Sequence, residues 1–222
     1  MFDEVEKEIL FISERATITI GANISAGTVL LKRYIDRFAE QYPLIKVDVR
    51  VAGSGKLRKM IYDHEVDFAL VEDLVRESNL VQVPFYHDQI VFVAAPDHPK
   101  TKKKDLKLED FAEENMLLRD KGVGVRDKFD QLMKLREVEI EPSWQSSNTR
   151  ALINAAEAGY GVAVLPYLLA RDEIECGRLA VLDVREADLK RNLNITYHKE
   201  KIFNKWVEDF IDIIKKDELS FC

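Results

Sequence analysis

The order of strand-like and helix-like segments repeats once along the chain, and this repeat limits the folds that are open to it. Residues 16–71 alternate between strand and helix patterns, and the same order returns in residues 115–165. The matching positions are Gly27 and Gly124, Ser54 and Asn148, and 68–71 and 162–165. Strands that alternate with helices predict a mostly parallel sheet covered by helices. The repeat therefore predicts two α/β lobes of similar plan.

Hydrophobic periodicity locates the elements of the first copy. Alternating apolar residues and one short apolar run predict three strands, at 17–21, 46–51 and 68–71. A helix is predicted over 27–42, and Pro43 ends it. Ser54 is placed to act as the N-cap of a second helix, which runs to about residue 62.

The second copy follows the same rules. Its strands are predicted at 115–119, 139–145 and 162–165. Gly122 and Gly124 open a helix that runs to about residue 135, and residues 146–149 precede a helix over 150–158. Gly159 and Gly161 end that helix, because glycine adopts the left-handed conformation that follows a helix C-terminus.

Three segments remain outside the two copies. They are a strand pattern at 89–95, a second strand pattern at 192–200 and an amphipathic helix at 203–216. The first copy lacks a closing element, which the last strand and helix could supply. The chain would then pass between the lobes twice, which predicts lobe I at 16–93 and 194–222 and lobe II at 94–193.

Composition argues against several classes of function. The net charge is -7 and the one basic run, Lys102–Lys104, is short, so this chain alone is not expected to bind nucleic acid strongly. No apolar run is long enough to span a bilayer, and the acidic N-terminal segment lacks the features of a signal peptide. The two cysteines suit a reducing compartment. These features predict a cytoplasmic protein without a membrane partner.

Four predicted helix starts carry small or polar residues: 23–28, 53–54, 122–126 and 146–149. In doubly wound folds, ligands bind beyond the carboxyl ends of strands, at such helix starts. Free backbone N–H groups and the helix dipole favour an anion there. Ser, Thr and Asn are also ordinary N-caps, so each residue is either a cap or a ligand contact. Four polar starts that face one cleft favour a binding site for the group.

The candidate ligand-binding residues belong to these four starts. They are Ser25, Ala26, Gly27, Thr28, Ser54, Arg126, Ser147, Asn148 and Thr149. The small residues Ala26 and Gly27 would let a ligand approach the backbone. Arg126 could pair with a carboxylate, although Arg119, Arg126 and Arg150 could equally form surface ion pairs.

An enzyme is poorly supported by the sequence. The four histidines are scattered without metal-ligand spacing, and no nucleophile elbow or nucleotide-binding fingerprint occurs. Asp67 and Lys56 are the only catalytic candidates, and Asp67 is better explained as a cap or an ion-pair partner. The sequence therefore predicts no catalytic residue, no metal and no cofactor.

Several segments in a fixed order carry a resemblance to a known family. They are "ITIGA", "LLKRYIDRFAEQYPLIKVDV", "GSGKLRKMIYDHEVDFALV", "VFVAAPDHP", "NTRALINAAEAGYGVAVLP", "GRLAVLDV" and "FIDIIKK". Through them, residues 16–216 resemble the effector-binding domain of LysR-type transcriptional regulators. Each segment is weak evidence alone, but their order and spacing together are specific.

The resemblance implies a type II periplasmic-binding-protein-like fold, in which two Rossmann-like lobes are joined by two crossover strands. It implies a small inducer, expected to be anionic, in the cleft between the lobes. It also implies a homodimer, a tetramer in the full-length form, and DNA contact only through an N-terminal winged helix-turn-helix. These 222 residues lack that domain, and residues 1–15 would be a remnant of the linker helix.

One other function would use the same fold. A solute-binding protein of a transporter also binds a small molecule between two lobes of this kind. A signal peptide or a lipidated cysteine near the start would favour that alternative, and the sequence shows neither.

Overall fold

The computed structural model of the chain describes residues 16–72, 77–185 and 189–216. The helix predicted within residues 1–15 lies outside these ranges. The chain divides into two compact units. Unit 1 contains the described residues 16–72, 77–87 and 192–216, and unit 2 contains 88–185 and 189–191.

The described residues form nine strands and six α-helices. The strands are β1 (Thr17–Ala22), β2 (Lys46–Val51), β3 (Phe68–Glu72), β4 (Leu80–Ala94), β5 (Met116–Arg119), β6 (Pro142–Ser146), β7 (Val162–Pro166), β8 (Ala180–Val181) and β9 (Lys190–His198). The helices are α1 (Leu31–Gln41), α2 (Ser54–Tyr62), α3 (Gly124–Leu135), α4 (Thr149–Glu157), α5 (Tyr167–Glu175) and α6 (Lys205–Lys215). Strands β4 and β9 each continue from one unit into the other.

The sheet of unit 1 has the strand order β2-β1-β3-β9. Strands β2 and β3 are parallel to β1, as the alternation of strands and helices predicted, and β9 is antiparallel to β3. Helices α1 and α6 pack together through the rings of Phe38 and Phe210, whose centroids are 4.8 Å apart. The Phe210 ring also contacts Phe68 of β3, so the last helix covers the sheet of unit 1.

The sheet of unit 2 has the order β4-β7-β5-β6. Strands β6 and β7 are parallel to β5, and β4 is antiparallel to β7. Along β4, Ile90 and Phe92 belong to one apolar cluster, whereas Val91 and Val93 belong to another. Residues 90–94 of the strand are therefore buried on both faces, which explains the continuous apolar run in this part.

Several boundaries differ from those predicted. The helix predicted over 27–42 starts as one turn of π-helix, Ala26–Leu30, before α1 begins. Strand β6 begins at Pro142 and not at residue 139, because proline lacks the N–H group that a ladder needs and is tolerated at the first position. Gly53, not Ser54, is the N-cap of α2. No helix within the described ranges is long and apolar enough to cross a membrane.

Candidate functional site

At the carboxyl end of β1, Asn23 organises the first predicted helix start. Its Oδ1 accepts a hydrogen bond from the backbone N–H of Ala26 at 2.9 Å, and its own N–H donates to the carbonyl of Leu70 at 2.9 Å. The side chain therefore caps the helical turn, and the backbone N–H connects it to β3. Asn23 is buried, and because its Oδ1 faces the helix, its Nδ2 faces the opposite way.

The four candidates that follow Asn23 lie on the π-turn or next to it. Ser25 is buried and makes no side-chain cap, Ala26 is fully buried, and Thr28 is exposed. A Cβ added to Gly27 would lie 3.0 Å from Cγ2 of Val51, so close packing on β2 is sufficient to explain this glycine. Turns of π-helix are rare and are frequent at functional sites, which is compatible with a ligand here. That these four residues contact a ligand stays a prediction.

Glu72, at the end of β3, was not among the predicted residues. Its Oε2 accepts a hydrogen bond from Nδ2 of Asn23, and its Oε1 accepts one from Oγ of Ser54 at 2.8 Å. Ser54 is the first residue of α2, where the helix dipole favours a carboxylate. Ser54, which was predicted to contact an anionic ligand, thus donates to a carboxylate of the chain itself.

In unit 2, a buried arginine occupies the corresponding edge. Arg119, the last residue of β5, donates from Nη1 to Oγ1 of Thr149, the first residue of α4. Both side chains are buried. A second buried guanidinium, that of Arg126, donates from Nη1 to the carbonyl of Arg119 at 3.1 Å and from Nε to Oδ1 of Asp130 at 2.6 Å. This edge therefore brings two positive charges together.

The helix starts of unit 2 are capped by neighbouring side chains. Oδ1 of Asn148 accepts from the backbone N–H of Arg150 at 2.9 Å, and Oγ of Ser146 accepts from that of Asn148 at 3.0 Å. The backbone N–H of Gly122 donates to Asp127 at 3.0 Å. Ser147 is exposed. Asn148 is thus a helix cap, and its second predicted role as a ligand contact stays a prediction.

Arg150 forms the ion pair that the sequence analysis considered as an alternative. It donates to the buried carboxylate of Glu173 on α5, which also lies 3.5 Å from Nη2 of Arg178. Burial of this carboxyl group opposes its ionisation. Hydrogen bonds and the positive charges of Arg150 and Arg178 outweigh that effect and lower the pKa of Glu173.

Arg126 borders two neighbouring cavities within unit 2. The larger has a volume of about 890 Å³, and its lining includes Lys121, Glu139 and Gln145. The smaller has a volume of about 370 Å³ and shares Lys121 and Arg126 with the larger. Of this lining, only Arg126 was predicted from the sequence, because no local pattern connects the other residues to it.

The catalytic candidate Asp67 has a structural role at the start of β3. Its Oδ2 accepts from the backbone N–H of Thr19 at 2.8 Å, and its Oδ1 lies 2.9 Å from Nζ of Lys201. Asp67 precedes β3, whereas Glu72 ends it, so the two carboxylates lie at opposite edges of the sheet. Within the described ranges, no group of His, Cys, Asp and Glu is arranged to hold a metal ion.

A comparison of the sequence with models of known protein families identifies the family of this chain. Residues 13–218 match the family described as "LysR substrate binding domain". The chain belongs to this family. Its matched relatives are LysR-type transcriptional regulators, so the resemblance seen in the sequence is confirmed, and the chain is a ligand-sensing regulatory domain.

Similar proteins agree on the fold of this LysR domain. The Escherichia coli (strain K12) HTH-type regulator YeiE, described as uncharacterized, is 26% identical over 208 residues, which cover 94% of this chain and 71% of YeiE. The regulatory domain of Synechocystis PCC6803 CcmR in complex with 2-PG has a TM-score of 0.85 at 22% identity, over 93% of this chain and 100% of that one. The effector-binding domain of QuiR in complex with shikimate has a TM-score of 0.77 at 16% identity, over 90% and 95%. The predicted type II periplasmic-binding-protein-like fold is confirmed.

Proposed function

We propose that this LysR domain binds a small effector with at least one anionic group, and that binding changes how the full-length regulator binds DNA and controls transcription. The match of residues 13–218 to the LysR substrate-binding family carries this proposal. The relatives are transcriptional regulators and not transport proteins, which supports the sensor over the solute-binding alternative. It also supports a cytoplasmic location and a domain without enzymatic activity.

The charges of unit 2 support an anionic group in the effector. Arg119, the last residue of β5, and Arg126, in the first turn of α3, are both buried, and Nη1 of Arg126 lies 3.1 Å from the carbonyl oxygen of Arg119. A guanidinium that is shielded from water binds a carboxylate or a phosphate more strongly than an exposed one does. Ser147, Asn148 and Thr149 would add hydrogen-bond partners at the start of α4.

The regulatory step follows from binding thermodynamics. An effector can shift an equilibrium between two conformations only by the ratio of its affinities for them. We propose that the full-length protein forms homodimers and tetramers, and that this shift changes how they present their DNA-binding domains. The predicted residues Ser25, Ala26, Gly27, Thr28 and Ser54 of unit 1 would contact a part of the effector that carries no anionic group.

The test starts with native mass spectrometry of the purified chain for a co-purified small molecule. A thermal-shift screen of small carboxylates and inorganic anions at constant ionic strength follows, because a ligand that binds the folded state raises the melting temperature. Isothermal titration then gives the affinity of the best anion for the wild type and for Arg126→Met. We expect the variant to bind about ten- to a hundredfold more weakly, through the loss of a charge-assisted contact.

A matched control separates this loss from a change in net charge. Arg171 lies on α5 of the same unit and contacts Asp172 and Glu175 near the surface. Arg171→Met removes the same charge, and we expect it to leave the affinity unchanged. Equal affinity of the wild type and Arg126→Met for the bound anion would contradict the proposed site.

A further inference from the structure

We infer that Glu72 bars anionic groups from the carboxyl edge of unit 1, so that the part of the effector that meets this edge is a hydrogen-bond donor, such as a hydroxyl or an ammonium group. This inference rests on the proposed function and names the chemical class of ligand that it implies. The end of the effector that meets unit 1 would then be a donor end, without an anionic group.

The inference follows from the direction of the hydrogen bonds at Glu72. A serine hydroxyl has one hydrogen to donate, and that of Ser54 is donated to Oε1 of Glu72 at 2.8 Å. Towards a ligand, Ser54 can therefore only accept. Nδ2 of Asn23 donates to Oε2, and the opposite end of the same amide is held by the N–H of Ala26, so the amide cannot turn over without losing its cap.

At Ser54 and Glu72, the edge of unit 1 thus offers acceptors, although a donor was predicted at Ser54. An ionised carboxylate only accepts hydrogen bonds, and Glu72 has no hydrogen to offer to a phosphate or a second carboxylate. Two like charges repel each other more strongly where the surroundings hold less water, and Glu72 is half-buried between Asn23 and Ser54. A hydroxyl or an ammonium group meets neither obstacle.

Sulfate is the probe for the first test, and chloride at equal ionic strength is its reference. All proteins carry Arg126→Met, which removes one positive group of unit 2. We expect sulfate to bind at least about tenfold more tightly when Glu72→Gln is added, because Ser54 and Asn23 are then released to an anion. Adding Ser54→Ala should abolish this gain. The gain is measured by thermal shift and by titration calorimetry.

Asp36→Asn is the matched control, because it removes one carboxylate from an exposed ion pair in unit 1 and changes the net charge equally. A gain as large in Asp36→Asn as in Glu72→Gln overturns the inference, and so does the absence of any gain. Sulfate binding that Ser54→Ala abolishes while Glu72 is intact overturns it as well. Glu72→Ala repeats the test if the glutamine variant does not fold.

A second pair of probes tests the donor end. Malonate and 3-hydroxypropionate differ in that one carboxylate is replaced by a hydroxymethyl group. In the chain with Arg126 intact, we expect Glu72→Gln to shift the ratio of their affinities towards malonate by about tenfold or more. A ratio that does not move contradicts the inference. Failure of the proposed function gives a different result from failure of this inference. In that case, Arg126→Met binds every anion with the same affinity as the wild type.

Discussion

The two units bury different kinds of polar side chain. In unit 1, the buried polar residues within the described ranges are uncharged: Asn23, Ser25, Asn194 and Thr196. In unit 2, Thr149 is the uncharged one, and the others carry charge: Asp88, Arg119, Arg126, Glu173 and Arg191. The order of strands and helices is the same in both units, so the residues at equivalent edges, and not the fold, produce this difference.

The contrast separates two ways of recognising a ligand. A buried charge is costly unless it is paired, so each buried charge in unit 2 requires a partner close to it. A ligand anion near Arg119 and Arg126 would add to an existing network of charges. In unit 1, the neutral side chains of Asn23 and Ser54 and the carboxylate of Glu72 would recognise a ligand through hydrogen bonds. Substitutions that remove individual charges and caps test whether the two units also differ in stability and in affinity for a ligand.

The largest effect is expected at Asp88. Its Oδ2 lies 2.8 Å from Nε and 2.6 Å from Nη2 of Arg191, and its Oδ1 accepts from the backbone N–H of Leu168 at the start of α5. Asp88→Asn removes the negative charge that Asp88 supplies to the buried guanidinium of Arg191. We expect the free energy of unfolding, measured by urea denaturation, to fall by about 3–5 kcal/mol.

A surface ion pair of unit 1 provides the comparison for Asp88. Asp36 pairs with Lys32 at 2.5 Å on the exposed side of α1. Asp36→Asn should change the free energy of unfolding by less than about 1 kcal/mol. If Asp88→Asn also lowers the free energy of unfolding by less than about 1 kcal/mol, then water reaches Arg191. The units would then differ in where their charged side chains lie, but not in how much those charges stabilise the fold.

A smaller loss is expected at Glu173. Its partners Arg150 and Arg178 have side chains that are 58% and 52% exposed, so water can solvate them when the carboxylate is removed. We expect Glu173→Gln to lower the free energy of unfolding at pH 7 by about 1–2 kcal/mol. The difference between the wild type and the variant should depend on pH.

The direction of that dependence follows from the lowered pKa of Glu173. A carboxyl group whose pKa is lower in the folded state stabilises the fold fully above its ordinary value of 4.5. The stabilisation is lost as the pH falls through the pKa of the folded state. Denaturation curves of both proteins between neutral and acidic pH should therefore converge. If the two proteins differ in their free energy of unfolding by the same amount at neutral and at acidic pH, then packing, and not charge, accounts for the effect of Glu173→Gln.

Local patterns predicted most of the fold. The strand over Lys46–Val51 has the predicted bounds, and the helix over Ser54–Tyr62 begins one residue earlier than predicted and ends where predicted. Alternation and helical periodicity are properties of neighbouring residues, which is why both elements could be located. Strand β4 extends from Leu80 to Ala94, whereas the sequence predicted only 89–95. The residues before 89 are mostly half-buried, so they lack the apolar run that marked the rest, and their conformation depends on distant partners.

The candidate site shows where such patterns fail. The polar helix starts were visible in the sequence, but their partners were not. Asn23 and Glu72 are 49 residues apart, and Arg119 and Thr149 are 30 apart. Only the folded sheet brings these residues together. The position of Glu72 directly after the predicted strand 68–71 was the one signal in the sequence, and no prediction was based on it.

The smallest effect on stability is expected at Asn148, and it sharpens the contrast between a cap and a ligand contact. Glycine at an N-cap position costs a few tenths of a kcal/mol relative to asparagine, whereas alanine costs about 1 kcal/mol. Asn148→Gly should therefore keep nearly all the stability of α4 while it removes the amide group. If Asn148 also binds the effector, we expect the affinity for the bound anion to fall about fivefold, roughly one hydrogen bond.

Asn204 is the equivalent cap in unit 1, because its Oδ1 accepts from the backbone N–H of Val207 at the start of α6 at 3.1 Å. Asn204→Gly should cause the same small loss of stability in denaturation experiments and leave the affinity for the anion unchanged. Equal affinities in the two glycine variants would show that Asn148 is only a cap. The helix starts of unit 2 would then contribute structure, and recognition of the anion would fall to Arg119 and Arg126 alone.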